Sequence, residues 1–61
     1  MAKMEVMKAF EDKGYRVIKV IENKRTGGYR VVITRGSYDR LREATEFGMT
    51  LAGVEQVEQP C

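Results

Sequence analysis

The 61-residue sequence predicts a small α+β fold, a single domain over residues 1–61 with the element order α-β-β-α-β. Three observations predict this class. Apolar residues recur at helical spacing near the N-terminus and again after residue 37, two β-branched runs flank a glycine-containing turn, and a short apolar segment, Val54–Glu58, follows the second helical stretch. We expect that segment to be a third strand, because a two-stranded sheet alone is weak. Residues 59–61 should fray.

The first helix is predicted over 2–13. Met4, Met7 and Phe10 recur three residues apart and form one apolar stripe, while charged side chains fill the opposite face. Gly14 is well placed to adopt the left-handed conformation that commonly follows the C-terminus of a helix. The pattern therefore indicates where this helix begins, where it ends and which side it buries.

Two strands are predicted over 15–22 and 29–35, joined by a turn over 23–28. Pairing Glu22 with Tyr29 gathers the apolar residues on the face that supports the helices, whereas a slip of one residue would scatter them. This inner face would hold Ile18, Val20, Tyr29, Val31 and Ile33. The outer face would hold Val17, Lys19, Ile21, Arg30, Val32 and Thr34, a mixture of apolar and basic side chains.

The second helix is predicted from Ser37, as its N-cap, to about residue 52. Gly48 leaves two alternatives: the helix ends near Phe47 with Gly48 as its cap, or it continues and Gly53 caps it. The longer helix is favoured because Leu51 continues the apolar stripe. The predicted buried set of the whole domain is Phe10, Ile18, Val20, Val31, Ile33, Leu41 and Phe47.

The composition excludes several classes of protein. The chain has no His and one Cys, which excludes a zinc site and a nucleophile activated by a His base. Glu43 and Glu46 lie three residues apart, which is typical of a solvated helix flank more often than of a catalytic pair. Gly27-Gly28 joins two strands and is a hairpin turn, not a phosphate-binding loop. We expect no enzymatic activity, no cofactor and no metal.

Hydropathy and cysteine usage indicate the setting. No apolar run approaches the ~20 residues that span a bilayer, so we expect no membrane partner. The single thiol, Cys61 at the chain end, suits a reducing cytoplasm. A chain this short buries a thin core and gains stability from tight packing or from a partner chain.

The basic residues are clustered along the chain. Nine of the eleven Lys and Arg lie within 13–42 against two acidic residues, a net charge of +7, whereas 43–61 has four acidic residues and no Lys or Arg. A basic two-stranded ribbon attracts anions and fits the major groove of DNA. The glycines of the turn should leave its backbone amides open. The rings of Tyr15 and Tyr29 are candidates for stacking on bases, and core packing is the favoured alternative for Tyr29. The candidate contacts to nucleic acid or to a partner protein are Arg16, Lys19, Lys24, Arg25, Arg30, Arg35, Arg40 and Arg42.

Two functions remain open. The half-apolar outer face favours self-association through Val17, Ile21 and Val32, with the acidic segment 43–61 of one copy against the basic hairpin of another. We therefore expect a small, non-enzymatic regulatory or inhibitor protein that acts by protein–protein interaction, as a homodimer, of a kind typical of phages and mobile elements. The alternative is a nucleic-acid-binding accessory protein that contacts phosphates through the basic hairpin.

Overall fold

The computed structural model describes residues 2–60, and it has the predicted order of elements. The helices and strands, numbered along the chain, are α1 (Lys3–Asp12), β1 (Val17–Glu22), β2 (Tyr29–Ile33), α2 (Tyr38–Gly48) and β3 (Val54–Glu58). The strands form one sheet in the order β1-β2-β3, antiparallel between β1 and β2 and parallel between β2 and β3. Both helices pack on the same face of this sheet. The α+β prediction is therefore confirmed.

Helix α1 begins and ends with hydrogen bonds between residues that are close in the chain. The Glu5 carboxylate accepts a hydrogen bond from the Ala2 backbone N–H at 2.9 Å. At the other end Gly14 has a φ of +96°, and its N–H donates to a carbonyl of the last helical turn. The Tyr15 N–H donates to the Phe10 carbonyl at 3.0 Å, and the two rings meet edge to face with centroids 6.1 Å apart. This is the helix ending that a glycine after the last turn predicts.

The hairpin register is as predicted near the turn and different at its base. Glu22 pairs with Tyr29, and the pairing continues in step toward the start of β1. A bulge between Val17 and Lys19 then inserts Ile18 as an extra residue. Because one inserted residue reverses the side of every residue before it, Val17 packs on the core and Ile18 is 51% exposed. The predicted burial of Ile18 and the predicted outward position of Val17 were both wrong for this reason.

Strand β3 occupies the predicted residues and completes the core. It runs parallel to β2, and the crossover that a parallel pair requires is supplied by α2. Val57 pairs with Val31 and is 8% exposed within the core cluster. An irregularity between Tyr29 and Arg30 leaves Glu55 without a register partner, and its side chain reaches the turn between β1 and β2. Cys61, the last residue of the segment expected to fray, lies outside the described residues.

Helix α2 begins where predicted and ends earlier. The Ser37 hydroxyl accepts a hydrogen bond from the Arg40 backbone N–H at 3.1 Å, which confirms the predicted N-cap. The helix ends at Gly48, so the favoured longer helix was wrong and the shorter alternative describes the end correctly. Gly48 is not a left-handed cap, because its φ is not positive. Glycine is needed there because α2 lies close to β3: an added Cβ would lie 2.7 Å from Cγ2 of Val57.

An aromatic cluster joins both helices to the sheet. The ring of Phe10 is fully buried, with its centroid 5.0 Å from that of Phe47 and in edge-to-face geometry. Of the predicted buried set, Phe10, Val20, Val31 and Ile33 are buried, and Leu41 and Phe47 are half-buried. The prediction missed the buried core residues Val6, Tyr15, Ala44 and Val57.

Replacing Gly48 by Ala tests the close packing of α2 on β3. Alanine has the higher helix propensity by about 1 kcal/mol, but its Cβ would lie 2.7 Å from Val57 and 3.2 Å from Phe10. We expect Gly48→Ala to lower the free energy of unfolding by about 1–3 kcal/mol, measured by urea denaturation followed by circular dichroism. Gly36→Ala is the matched control, since the nearest atom to its added Cβ is 3.5 Å away. A Gly48→Ala variant as stable as the wild type would contradict the proposed packing.

Candidate anion-binding surface

The sheet is electrically asymmetric from one edge to the other. Arg16 precedes β1, Lys19 lies on it, and Lys24 and Arg25 follow it in the turn. The other edge strand, β3, carries two glutamates and no basic residue. The positive charges of the hairpin are therefore concentrated along β1 and at its two ends.

Three arginines from three segments meet at the base of the hairpin, where they line a cleft of about 190 Å³. Arg16 precedes β1, Arg35 follows β2, and Arg40 lies in the first turn of α2. We call this recess the arginine cleft. Its other lining residues are Gly14, Tyr15, Ile33, Thr34 and Gly36. None of these is acidic, and within residues 2–60 no carboxylate forms a salt bridge with the three guanidinium groups.

Backbone pairing brings the first two arginines together. The Thr34 N–H donates to the Arg16 carbonyl at 2.9 Å, so the two segments remain paired just beyond the ends of β1 and β2. This bond places Arg16 opposite Thr34, in step with the pairing of Val17 with Ile33, and Arg35 is the next residue along the chain. Both side chains are exposed, and neither forms a side-chain hydrogen bond or salt bridge with the part of the chain that the structure describes.

Arg40 is held at the rim of the cleft by two contacts. Its guanidinium carbon lies 4.4 Å from the centre of the Tyr15 ring, a cation–π arrangement. Its Nη2 donates to the Gly14 carbonyl at 2.5 Å, which links α2 to the turn after α1. A guanidinium has five N–H donors, so donors remain for a ligand. The orientation of Arg40 is therefore set before any ligand binds.

Neither tyrosine is placed to stack on a base, which corrects the prediction for Tyr15 and confirms the favoured core packing of Tyr29. Tyr15 is 8% exposed and lies beneath Arg40. Tyr29 is half-buried and packs against the core cluster. Both rings serve the interior of the domain, so base contacts through them are not available.

The turn between β1 and β2 is closed by its own hydrogen bonds. The Asn23 carbonyl accepts from the N–H groups of Gly27 at 2.7 Å and Thr26 at 3.2 Å, and Asn23 Oδ1 accepts from the Arg25 N–H at 3.0 Å. The Gly28 N–H donates to the Thr26 hydroxyl at 3.2 Å. These amides are already paired, so the prediction that the turn leaves them open was wrong. The two basic side chains of the turn remain exposed.

Glu55 ties β3 to this turn. Its carboxylate accepts hydrogen bonds from the Thr26 hydroxyl and from the Asn23 side-chain amide, the latter at 3.3 Å. The Glu55 side chain lies over Gly28, where an added Cβ would be 2.5 Å from Glu55 Cγ. Gly28 does not have a positive φ. Glycine at this position accommodates the overlying glutamate side chain, which an added Cβ would displace, and is not explained by the backbone conformation.

Arg30 is matched by an acidic residue of the same chain. Its Nη2 lies 2.6 Å from Glu58 Oε1, across the sheet from β2 to β3. Glu55 and Glu58 therefore both have partners within the chain, and the acidic flank of α2, Glu43 and Glu46, is the part of the acidic segment left for the predicted pairing with a second copy.

Two further basic candidates lie apart from the cleft and the turn. Arg42 is exposed on α2, with its Nε 3.9 Å from Glu46 Oε2. Lys19 pairs with Val32 in the hairpin and lies on the outer face. The eight predicted basic residues therefore divide into the three of the arginine cleft, the two of the turn, and Lys19, Arg30 and Arg42 at separate positions.

The apolar outer face is smaller than predicted. Val17 faces the helices because of the bulge, and Val32 is only 6% exposed. Val32 lies on the central strand, where its register neighbours on both sides carry long side chains whose aliphatic stems cover it. The prediction that Val17 and Val32 form a self-association surface was therefore wrong. Ile21, half-buried on β1, is the one of the three predicted residues that fits this role.

A larger concavity along α1 has the opposite charge. Its volume is about 440 Å³, and it is lined by Met4, Glu5, Met7, Lys8, Glu11 and Asp12. Three carboxylates against one ammonium group do not favour an anion. The arginine cleft is therefore the concave site suited to an anionic ligand.

Sequence reasoning named the three arginines of the cleft among eight candidates but did not predict that they meet. The available signal was the pair of glycines at the base of the hairpin, Gly14 and Gly36, each near an arginine in the sequence. Residues without side chains leave space beside the arginines. This signal identifies the cleft only when the structure shows that the segments carrying the three arginines lie side by side.

Two general properties and the comparisons complete the description of the surface. Within residues 2–60, no group of three or more His, Cys, Asp or Glu side chains could hold a metal ion. In the same part of the chain, no helix is both long enough and apolar enough to cross a membrane. Comparisons with protein-family models, curated proteins and solved structures found no match. The function is therefore inferred from the chemistry of the surface.

A double-mutant cycle tests the contact between Glu55 and the turn. Gly28→Ala should displace the carboxylate and lower the free energy of unfolding by about 1–3 kcal/mol, the typical value of hydrogen bonds to a charged group. In a Glu55→Ala background the same change should cost less than about 0.5 kcal/mol, because the overlying carboxylate is gone. Urea denaturation of the four proteins gives the coupling energy. Additive effects of the two substitutions would contradict the contact.

Proposed function

We propose that the protein binds nucleic acid, without catalysis, through contacts to backbone phosphates. The observation that carries this proposal is the arginine cleft, a recess lined by three arginines and, within residues 2–60, by no acidic residue. Arginine presents its N–H donors in a planar fork that matches the oxygens of a phosphate group. The exposed side chains of Lys24 and Arg25 in the turn supply a second contact zone.

The length of the hairpin sets the distance between the two contact zones, the arginine cleft and the turn. Strand β1 has six residues, and at about 3.3 Å per residue the cleft and the turn lie about 20 Å apart. One strand of a duplex advances by about 3.4 Å per nucleotide. The two zones would therefore contact phosphates about six base pairs apart along the duplex axis, with Lys19 between them on the outer face.

The proposed binding has little sequence specificity. Phosphate contacts position a protein on nucleic acid but do not read bases. Base readout requires side chains that reach base edges, whereas Arg30 is paired with Glu58 and the ring of Tyr15 is buried. The protein would act as a non-enzymatic accessory factor in the cytoplasm, the compartment expected from its single cysteine.

The dependence of binding on salt tests this proposal. With three or four phosphate contacts, the log–log slope of affinity against salt should be about −3 to −4, measured by fluorescence anisotropy with a labelled 20-mer duplex. The double variant Arg16→Gln/Arg35→Gln should reduce the magnitude of the slope by about two, and Lys24→Gln/Arg25→Gln should do the same. Arg42→Gln is the matched control, an exposed arginine outside both zones, and should leave the slope unchanged.

Two outcomes of this experiment would count against nucleic-acid binding. One is the absence of binding below about 100 μM at low salt, which is weaker than ordinary non-specific binding. The other is a slope that neither double variant changes, since binding would then not depend on the cleft or the turn.

A second candidate is a regulatory or inhibitor protein that acts by protein–protein interaction, as a homodimer, of the kind typical of phages and mobile elements. The observation that favours it is the outer sheet face, which carries no helix within the described residues. On β1, Ile18 is 51% exposed and Ile21 is half-buried. A small domain gains stability when such residues are covered. This candidate ranks second because the apolar area is small and the acidic strand is matched within the chain.

Sedimentation equilibrium tests the homodimer. Self-association predicts a mass of about twice 7.0 kDa at micromolar concentration. Ile21→Glu should then shift the protein toward the monomer without changing its circular-dichroism spectrum, because Ile21 is not in the core cluster. Val32→Glu is unsuitable, since a residue that is 6% exposed cannot accept a charge without disturbing the fold. A mass of 7.0 kDa at all concentrations would contradict homodimerisation.

A further inference from the structure

We propose that the arginine cleft binds a phosphate monoester, the terminal phosphate of a nucleic-acid strand, in preference to an internal phosphodiester. The inference rests on the proposed function and gives this one site a defined ligand class. It follows from three properties of the cleft: its volume, its charge and the residues that close it.

The volume fits one small anionic group. Pockets for drug-sized ligands usually enclose about 300–1,000 Å³, and the cleft has about 190 Å³. It is too small for a complete nucleotide but suits a phosphate with its first ester oxygen. The remainder of the strand would then lie outside, over the basic side of the hairpin.

The charge favours a monoester. A phosphate monoester carries about −1.5 to −2 at pH 7, whereas an internal phosphodiester carries one negative charge per nucleotide. Three arginines line the cleft, and none of their guanidinium groups forms a salt bridge within residues 2–60. Arg40 is already oriented by Tyr15 and by the Gly14 carbonyl, and within the same residues Arg16 and Arg35 have no such contact. The more highly charged group therefore gains more from this site.

The cleft is closed on its inner side. Two of its lining residues, Tyr15 and Ile33, belong to the buried core and are 8% and 2% exposed. A terminal phosphate is attached to the strand through a single ester bond and can enter a recess closed on one side. An internal phosphate carries the chain on both sides, so both flanking nucleotides would have to fit at the rim.

Three 20-mer duplexes of one sequence test the inference. The first has hydroxyl ends, the second 5′-phosphates and the third 3′-phosphates, and all three carry the fluorophore at an internal position. We expect a terminal phosphate to tighten binding by about tenfold, and the 5′ and 3′ duplexes to show which end fits. Arg35→Gln should remove this preference, so that the phosphorylated and hydroxyl-ended duplexes bind the variant with equal affinity. Arg42→Gln, the matched control, should retain the preference.

The outcomes separate this inference from the proposed function. Equal affinity for phosphorylated and hydroxyl-ended duplexes overturns the terminal-phosphate site and leaves nucleic-acid binding intact. If no duplex binds, the proposed function fails. A titration with inorganic phosphate, monitored by NMR, then tests whether the cleft binds phosphate. Shifts of the Gly14 and Gly36 amides that are lost in Arg35→Gln support a phosphate site, and their absence overturns it. Arg16→Gln serves as the second variant if Arg35→Gln does not fold.

Discussion

The burial of Phe10 is the interaction on which the rest of the structure depends. Its ring contacts Phe47 of α2 and Tyr15 of the segment that follows α1, so one side chain joins both helices to the sheet. A chain of 61 residues is too short to bury a second core. The arginine cleft depends on the same cluster, because Tyr15 supports the guanidinium of Arg40 from below. Packing and the candidate site are therefore built from the same residues.

The second organising feature is the placement of charge across the sheet. Strand β3 brings its glutamates to the turn and to Arg30, so the acidic end of the chain is used within the fold. Within residues 2–60, no salt bridge joins a carboxylate to the basic residues on the β1 side. The net charge of +2 therefore does not reveal that acidic residues are paired on the β3 side while basic residues are concentrated on the β1 side. An anionic partner would approach the β1 side.

The arginine cleft contrasts with the other arginine contacts of the domain. Arg30 forms a salt bridge with Glu58 of the neighbouring strand, and Arg42 lies beside Glu46 one helical turn away. In the cleft, three arginines line one recess, and no lining residue within 2–60 carries a carboxylate. Such an arrangement does not stabilise the folded state by itself. Like charges without opposite charges beside them are expected at functional sites, where a ligand supplies the missing negative charge.

The sequence by itself determined the elements, because periodicity and capping act over a few residues. The end of α1 at Gly14, the start of α2 at Ser37 and the existence of β3 could all be predicted in this way. The bulge at Ile18, the glycine required at Gly48 and the meeting of the three cleft arginines were decided only by the tertiary structure. Each depends on the distance between segments far apart in the chain. Local patterns carry no information about that distance, which is set by how the helices pack on the sheet.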